Sequence, residues 1–253
     1  MFDLSGKTAL VTGASSGLGE HFARLLAGKG ARVVIAARRA EKLEALASEI
    51  KSAGGEALPI AMDVTSPESV DADFAHISET LGAPADILIN NAGVSREAFF
   101  TQMSEEDWST VVDTNYSAVW RVAKAAANAM MAASISGSIV NIASITALRP
   151  SQTIAAYASS KAAVDHLTRI MAIELARYKV RVNALAPGYF LTAINEDFMK
   201  TPEADKLKKR IAMRRLGEMD ELSAPLLLLA SDAGSYMTGS TIVVDGGHTL
   251  YPI

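Results

Sequence analysis

Two hydrophobic periods alternate from one end of the chain to the other. "TALVT" is a short apolar run closed by glycines, and Leu18, Phe22, Leu25 and Leu26 then recur on one face of a helical pattern. "ARVVIAA" predicts a second strand, and the stretch carrying Leu43, Leu46 and Ile50 predicts a helix ending at Gly54-Gly55. "ALPIAMDV" repeats the strand signal ahead of a helix with Val70, Phe74 and Ile77. "DILINNAG", "SIVNIAS", "VRVNALAPG" and "GSTIVVDGG" continue the theme, separated by long helical stretches.

Near-continuous Val/Ile/Leu runs imply strands buried on both faces, as in a parallel sheet. The alternation therefore predicts an α/β fold: a doubly wound, Rossmann-type parallel sheet of about seven strands with helices on both faces. No linker, charge block or repeat divides the chain, so residues 1–253 are expected to form one domain. The rhythm breaks only at 188–217, "GYFLTAINEDFMKTPEADKLKKRIAMRRLG", where a short connection would suffice. Such an insertion is either a substrate-binding loop or a peripheral helical excursion.

Composition narrows the chemistry. The net charge of −4 leaves no basic footprint for nucleic acid. With no cysteine, disulfides, thiolate catalysis and cysteine-ligated zinc are excluded. His21, His76, His166 and His248 lack ligand spacing, so no metal is expected. "PLLLLA" is far too short to span a bilayer, and "MFDLSGK" leaves no room for a signal peptide ahead of the first strand. A cytoplasmic protein with no membrane partner is the expectation.

Four short patterns carry candidate chemistry. In "AAYASSKAAV", Tyr157 and Lys161 lie four apart, about 5–6 Å between Cβ atoms on one helix face. Such a pair can simply cover apolar surface. Alternatively, the ammonium lowers the phenol pKa from about 10 and makes it a usable acid/base. "TGASSGLG" places Gly13, Gly17 and Gly19 where the first strand opens the first helix, a turn suited to a pyrophosphate. Arg38 and Arg39 stand at the end of the second strand, where NAD-binding folds carry an acid. Two guanidinium groups there suit a 2′-phosphate, or are solvated loop charges. Asp63 is a candidate for the adenine edge or for capping the next helix. "NNAG" (Asn90 to Gly93) and "NIAS", ending at Ser144, fall at the carboxyl edge, where open α/β sheets bind ligands. From there the Ser144 hydroxyl can share a substrate oxygen with Tyr157.

In this order and spacing, T-G-x-x-x-G-x-G at Thr12–Gly19, N-N-A-G, Asn115, Ser144, Tyr157, Lys161 and Pro187-Gly188 resemble the short-chain dehydrogenase/reductase family over essentially the full chain. The resemblance implies that Tyr157 is the general acid/base, that Lys161 lowers its pKa and binds the nicotinamide ribose, and that Ser144 polarises the carbonyl. Asn115 would hold a water that relays protons to Lys161. Ser15, Ser16 and Leu18 in the glycine turn, Val64 beside Asp63, and Asn91, Ala92 and Gly93 would line the cofactor, with Pro187, Gly188 and Thr192 at its nicotinamide end. The expected substrate wall comprises Ile145, Leu148, Ile154, Tyr189 and Phe190. Arg38 and Arg39 favour NADP, with NAD also possible. The implied activity is interconversion of a small-molecule secondary alcohol and ketone by a homotetramer. The alternatives are a 3-oxoacyl-acyl-carrier-protein reductase and a catalytically silent dinucleotide-binding scaffold. "AAANAMMAASISGS" lacks the basic residues that an acidic carrier protein would meet.

Overall fold

The computed structural model describes residues 2–191 and 201–250. Strand β1 (Thr8–Thr12) leads into helix α1 (Gly17–Ala27), and β2 (Arg32–Ala37) into α2 (Ala40–Ser52). Next come β3 (Glu56–Ala61), α3 (Pro67–Leu81) and β4 (Ile87–Asn90). The start of α3 is written locally: Ser66 caps it by accepting from the Ser69 N–H, and Pro67 fills the first turn. Beyond β4 lie α4 (Glu105–Val112), a π-helical turn at Asp113–Ser117 and α5 (Ala118–Ala132). The chain then forms β5 (Gly137–Ile142), α6 (Ala155–Leu175), β6 (Val180–Pro187), α7 (Pro202–Lys209), α8 (Ser223–Ala230) and β7 (Thr241–Val244).

The seven strands form one parallel sheet in the order β3-β2-β1-β4-β5-β6-β7. Winding proceeds outward from β1 to β3, then restarts on the other side with β4. The reversal opens a crevice between the carboxyl ends of β1 and β4. Phe22, Leu26, Leu43 and Leu226 pack one face of the sheet, and Val70, Phe74, Val122 and Met130 pack the other. The expected doubly wound architecture is present. No helix among the described residues is long and apolar enough to cross a membrane.

Two strands depart from the expected burial on both faces. In β3 only Ile60 is buried, and β7 has no buried residue. Both are sheet edges with a single neighbouring strand, which is also why β3 tolerates Pro59. The 188–217 excursion is pinned at both ends, because the Gly217 N–H donates to the Tyr189 carbonyl at 3.0 Å. A Cβ on Gly217 would lie 2.3 Å from the Phe190 ring, which is 5% exposed and packed into the core. Phe190 is therefore largely buried in the core and offers a pocket wall little surface. Thr192 lies outside the described residues.

Candidate active site

The crevice is held by backbone contacts that leave no space for side chains. A Cβ on Gly19 would sit 2.4 Å from the Gly13 carbonyl oxygen and 2.5 Å from the Asn91 amide nitrogen. Asn91 donates its amide to the Thr12 carbonyl at 2.9 Å, while the N–H groups of Asn91 and Ala92 both donate to Thr12 Oγ1. Asn91 thus braces the glycine turn, and Gly19 lets α1 begin directly against it. Gly13 and Gly17 adopt φ of 67° and 58°, and nothing lies within 4 Å of a Cβ on Gly17. The α1 N-terminus, with Leu18 half-buried in its first turn, therefore opens into the crevice with no side-chain cap from Ser16. A helix N-terminus so arranged suits an anionic diphosphate.

The two arginines part company. Arg39 donates to Ser15 Oγ at 2.8 Å and to Ser16 Oγ at 3.0 Å, which lays its guanidinium across the glycine turn. The Arg38 charge is near enough to Asp63 to help lower its pKa. Asp63 Oδ1 accepts from the Thr65 N–H and hydroxyl at 2.9 and 2.7 Å, bonds that lower its pKa. The expected helix-cap role belongs to Ser66. Arg121 donates to the Val64 carbonyl at 2.8 Å, tying this loop to α5. Two serine hydroxyls, two guanidinium groups and a helix N-terminus form a donor set that fits a phosphorylated dinucleotide.

Deeper in the crevice, the π-helical turn carries Asn115 fully buried. Its Oδ1 accepts from the Val94 N–H at 2.8 Å, and its Nδ2 donates to the Val94 carbonyl at 2.9 Å and to Ser160 Oγ at 3.3 Å. Ser160 in turn donates to the Tyr157 carbonyl at 2.7 Å. A Cβ on Gly93 would meet Asn115 Oδ1 at 3.3 Å and Lys161 Nζ at 3.7 Å. Asn115, Gly93, Tyr157 and Lys161 are therefore brought together from three separate elements.

Ser144 ends β5 and starts a 3₁₀ turn, where its Oγ accepts from the Thr146 N–H at 3.1 Å and the Thr146 hydroxyl at 3.0 Å. Both lone pairs are filled, so the Ser144 proton is directed outward, and the hydroxyl lies close enough to the Tyr157 phenol to oppose the rise in its pKa. Sequence reasoning missed Thr146, although Ser-x-Thr after a strand is an available signal for such a turn.

Burial pushes the Tyr157 phenol above its ordinary value, the direction opposite to the lowering expected from Lys161; the Ser144 hydroxyl opposes this and the Tyr189 phenol adds to it. Lys161 is 4% exposed and donates to the Ile142 carbonyl at 2.7 Å, its Nζ lying 5.7 Å from the Tyr157 ring centroid. Burial brings its own pKa down to about 8. Sequence spacing placed the pair on one face; the carbonyl at the end of β5 decides where the ammonium points.

Toward the substrate side, Ile154 is half-buried and pairs its backbone with Ala98, and Leu148 is exposed. Ile145 is only 5% exposed, so it offers a pocket little of the surface expected of it. Tyr189 is half-buried, its ring centroid 5.4 Å from that of His248. Gly188 follows Pro187 at the end of β6, where a Cβ would collide with Asp245 at 2.7 Å. Neither His248 nor Asp245 carried a sequence signal linking it to this crevice.

A family model described as short chain dehydrogenase matches residues 7–203. Gluconate 5-dehydrogenase of Gluconobacter oxydans is 40% identical over 251 residues, covering 99% of this chain and 97% of its own. The 3-oxoacyl-acyl-carrier-protein reductase of Pseudomonas aeruginosa is 38% identical, covering 96% and 98%. The crystal structure of a gluconate 5-dehydrogenase from Burkholderia cenocepacia in complex with NADP and tartrate is 38% identical with a TM-score of 0.95, covering 99% and 98%.

The buried ammonium predicts a pH-dependent stability. Between about 8 and the ordinary 10.5, the unfolded chain holds a proton on Lys161 that the folded protein releases, so folding stability rises with pH across that window. Lys161→Met should be more stable than wild type at neutral pH, because a buried charge is removed. The gap should narrow as pH rises from 8 toward 10. Urea unfolding of both proteins across this range checks it; a gap independent of pH would contradict the assignment.

Proposed function

The chain belongs to the short-chain dehydrogenase/reductase family and is an oxidoreductase, and we propose that it interconverts a secondary alcohol and a ketone with NADP(H). The observation that carries this reading is the Ser144–Tyr157 hydroxyl pair, backed by Lys161 and Asn115, at the carboxyl edge of the sheet. NADP, when bound, exchanges a hydride with the substrate carbon. The glycine turn, Ser15, Ser16, Arg38 and Arg39 would hold its phosphates, with Asp63 and Val64 at the adenine. Ala92, Gly93, Lys161, Pro187, Gly188 and Thr192 would line the nicotinamide end. NADP in the similar gluconate 5-dehydrogenase supports the choice of cofactor.

Ser144, with its lone pairs filled by Thr146, donates to the substrate oxygen and fixes it beside Tyr157. Tyr157, kept protonated by burial, donates its proton to that oxygen in ketone reduction and takes one in alcohol oxidation. Lys161, with a pKa of about 8, exchanges protons near neutral pH and restores the phenol. Lack of any basic residue in the last turn of α5 or α6 weighs against an acyl-carrier-protein substrate.

Tyr157→Phe should retain cofactor affinity and lose about 10²–10⁴-fold in turnover. Turnover within about threefold of wild type would sink the proton-donor role.

Arg39 is already seated on Ser15 and Ser16, so Arg39→Ala should lower kcat/KM for NADPH by about tenfold to hundredfold and spare NADH, as loss of a charge-assisted bond requires. A wild type that prefers NADH would refute the 2′-phosphate reading.

The groove between α5 and α6 exposes Trp120, Ile173 and Tyr178, an apolar face that a second copy would cover in a homotetramer. Light scattering should give a tetramer for wild type and a smaller species for Ile173→Glu. A wild-type monomer at micromolar concentration would defeat the assembly.

A further inference from the structure

The turn that follows β7 is built more firmly than a chain end requires. Asp245 accepts from the N–H groups of Gly247 and Thr249 at 2.8 and 2.7 Å, and Gly246 accepts from the Met213 N–H at 3.0 Å. A Cβ on Gly247 would press on Ala212 at 2.9 Å, so the turn lies flush against the end of the 188–217 excursion. On the other side, Arg149, five residues beyond Ser144, donates to the His248 carbonyl at 3.1 Å. The turn is thus clamped between the loop that carries Ser144 and the residues around Ala212 and Met213.

The clamp presents one side chain to Tyr189. The His248 ring lies against the Tyr189 ring, and Tyr189 is near enough to Tyr157 to raise the pKa of the catalytic phenol. Among the described residues His248 Nδ1 is buried with no hydrogen-bond partner, a costly arrangement unless something else supplies one. Burial and the Arg149 guanidinium lower the pKa of His248 and keep it neutral, so its ring holds one donor and one acceptor nitrogen. Arg149 and Arg210 both project positive charge onto the imidazole, while the opposing Asp245 carboxylate is spent on backbone N–H groups. A neutral imidazole with an unfilled nitrogen, near the Arg149 and Arg210 guanidinium groups on one side and the Glu97 carboxylate that reaches Tyr189 on the other, suits a hydroxylated substrate better than an apolar ketone.

We propose that His248 is a specificity-determining residue that hydrogen-bonds a hydroxyl of the substrate beyond the reacting carbon, and that the substrate class is a polyhydroxy acid and its keto form. The inference rests on the reading of the site as an alcohol–ketone oxidoreductase.

The test measures NADPH oxidation with 5-keto-D-gluconate and with cyclohexanone, which has the carbonyl but no hydroxyl or carboxylate. His248→Phe keeps a ring against Tyr189 and removes both nitrogens; His248→Gln keeps a donor and an acceptor. For the keto acid, His248→Phe should lower kcat/KM about tenfold, chiefly through KM, and His248→Gln should recover much of the loss. Cyclohexanone should respond within about twofold in both variants. Equal losses on the two ketones, no loss on either, or a wild type active only on cyclohexanone would overturn the proposal while leaving the oxidoreductase reading intact. A wild type that oxidises NADPH with neither ketone would overturn that reading, and the role of His248 with it.

Discussion

The close approach of the turn after β1 to the loop after β4 is the constraint on which the rest of this structure depends. Gly19 sits where any side chain would strike the Gly13 carbonyl, and Asn91 stitches the two segments through Thr12. Because the backbones touch there, α1 starts at the crevice floor and its free N–H groups face an incoming anion. The same contact sets the position of Gly93, which lies over Asn115 and Lys161. The glycine turn and the Asn115–Lys161 cluster are therefore placed relative to each other by main-chain geometry, which thermal motion of side chains disturbs little.

Within that frame the polar groups are almost fully committed before any ligand arrives. Asn115 spends its whole amide on Val94 and Ser160, and Ser144 fills both lone pairs with Thr146. Preorganisation of this kind avoids reorientation of dipoles during the reaction. The Ser144 proton faces outward, and the Lys161 ammonium, held on the Ile142 carbonyl, sits where burial makes its proton easy to lose.

The substrate side obeys different rules. Phe190 turns into the core and Ile145 is largely covered, so the expected apolar wall is thinner than the residue types suggest. In their place the turn after β7 brings His248 against Tyr189, steadied by Arg149 from the Ser144 loop. Residues far apart in the chain are thus brought beside Tyr189, while Ser144 and the Tyr157–Lys161 pair come from the end of β5 and from α6.

The sequence by itself determined the alternation of strands and helices, the glycine turn and the Tyr157–Lys161 spacing, because each rests on interactions within a few residues or on a repeating hydrophobic period. It also placed "NNAG" and "NIAS" at the carboxyl ends of their strands, where β4 and β5 do end. Only the tertiary structure decided which arginine lies on the glycine turn, since Arg38 and Arg39 differ by one position and it is Arg39 that bonds to Ser15 and Ser16. It alone turned Lys161 toward Ile142, bent the chain into a π-helical turn at Asn115 and carried His248 to Tyr189. These outcomes depend on side-chain direction and on contacts between distant segments, and neither is encoded by local spacing: a residue's period gives its face, and only packing gives its partner.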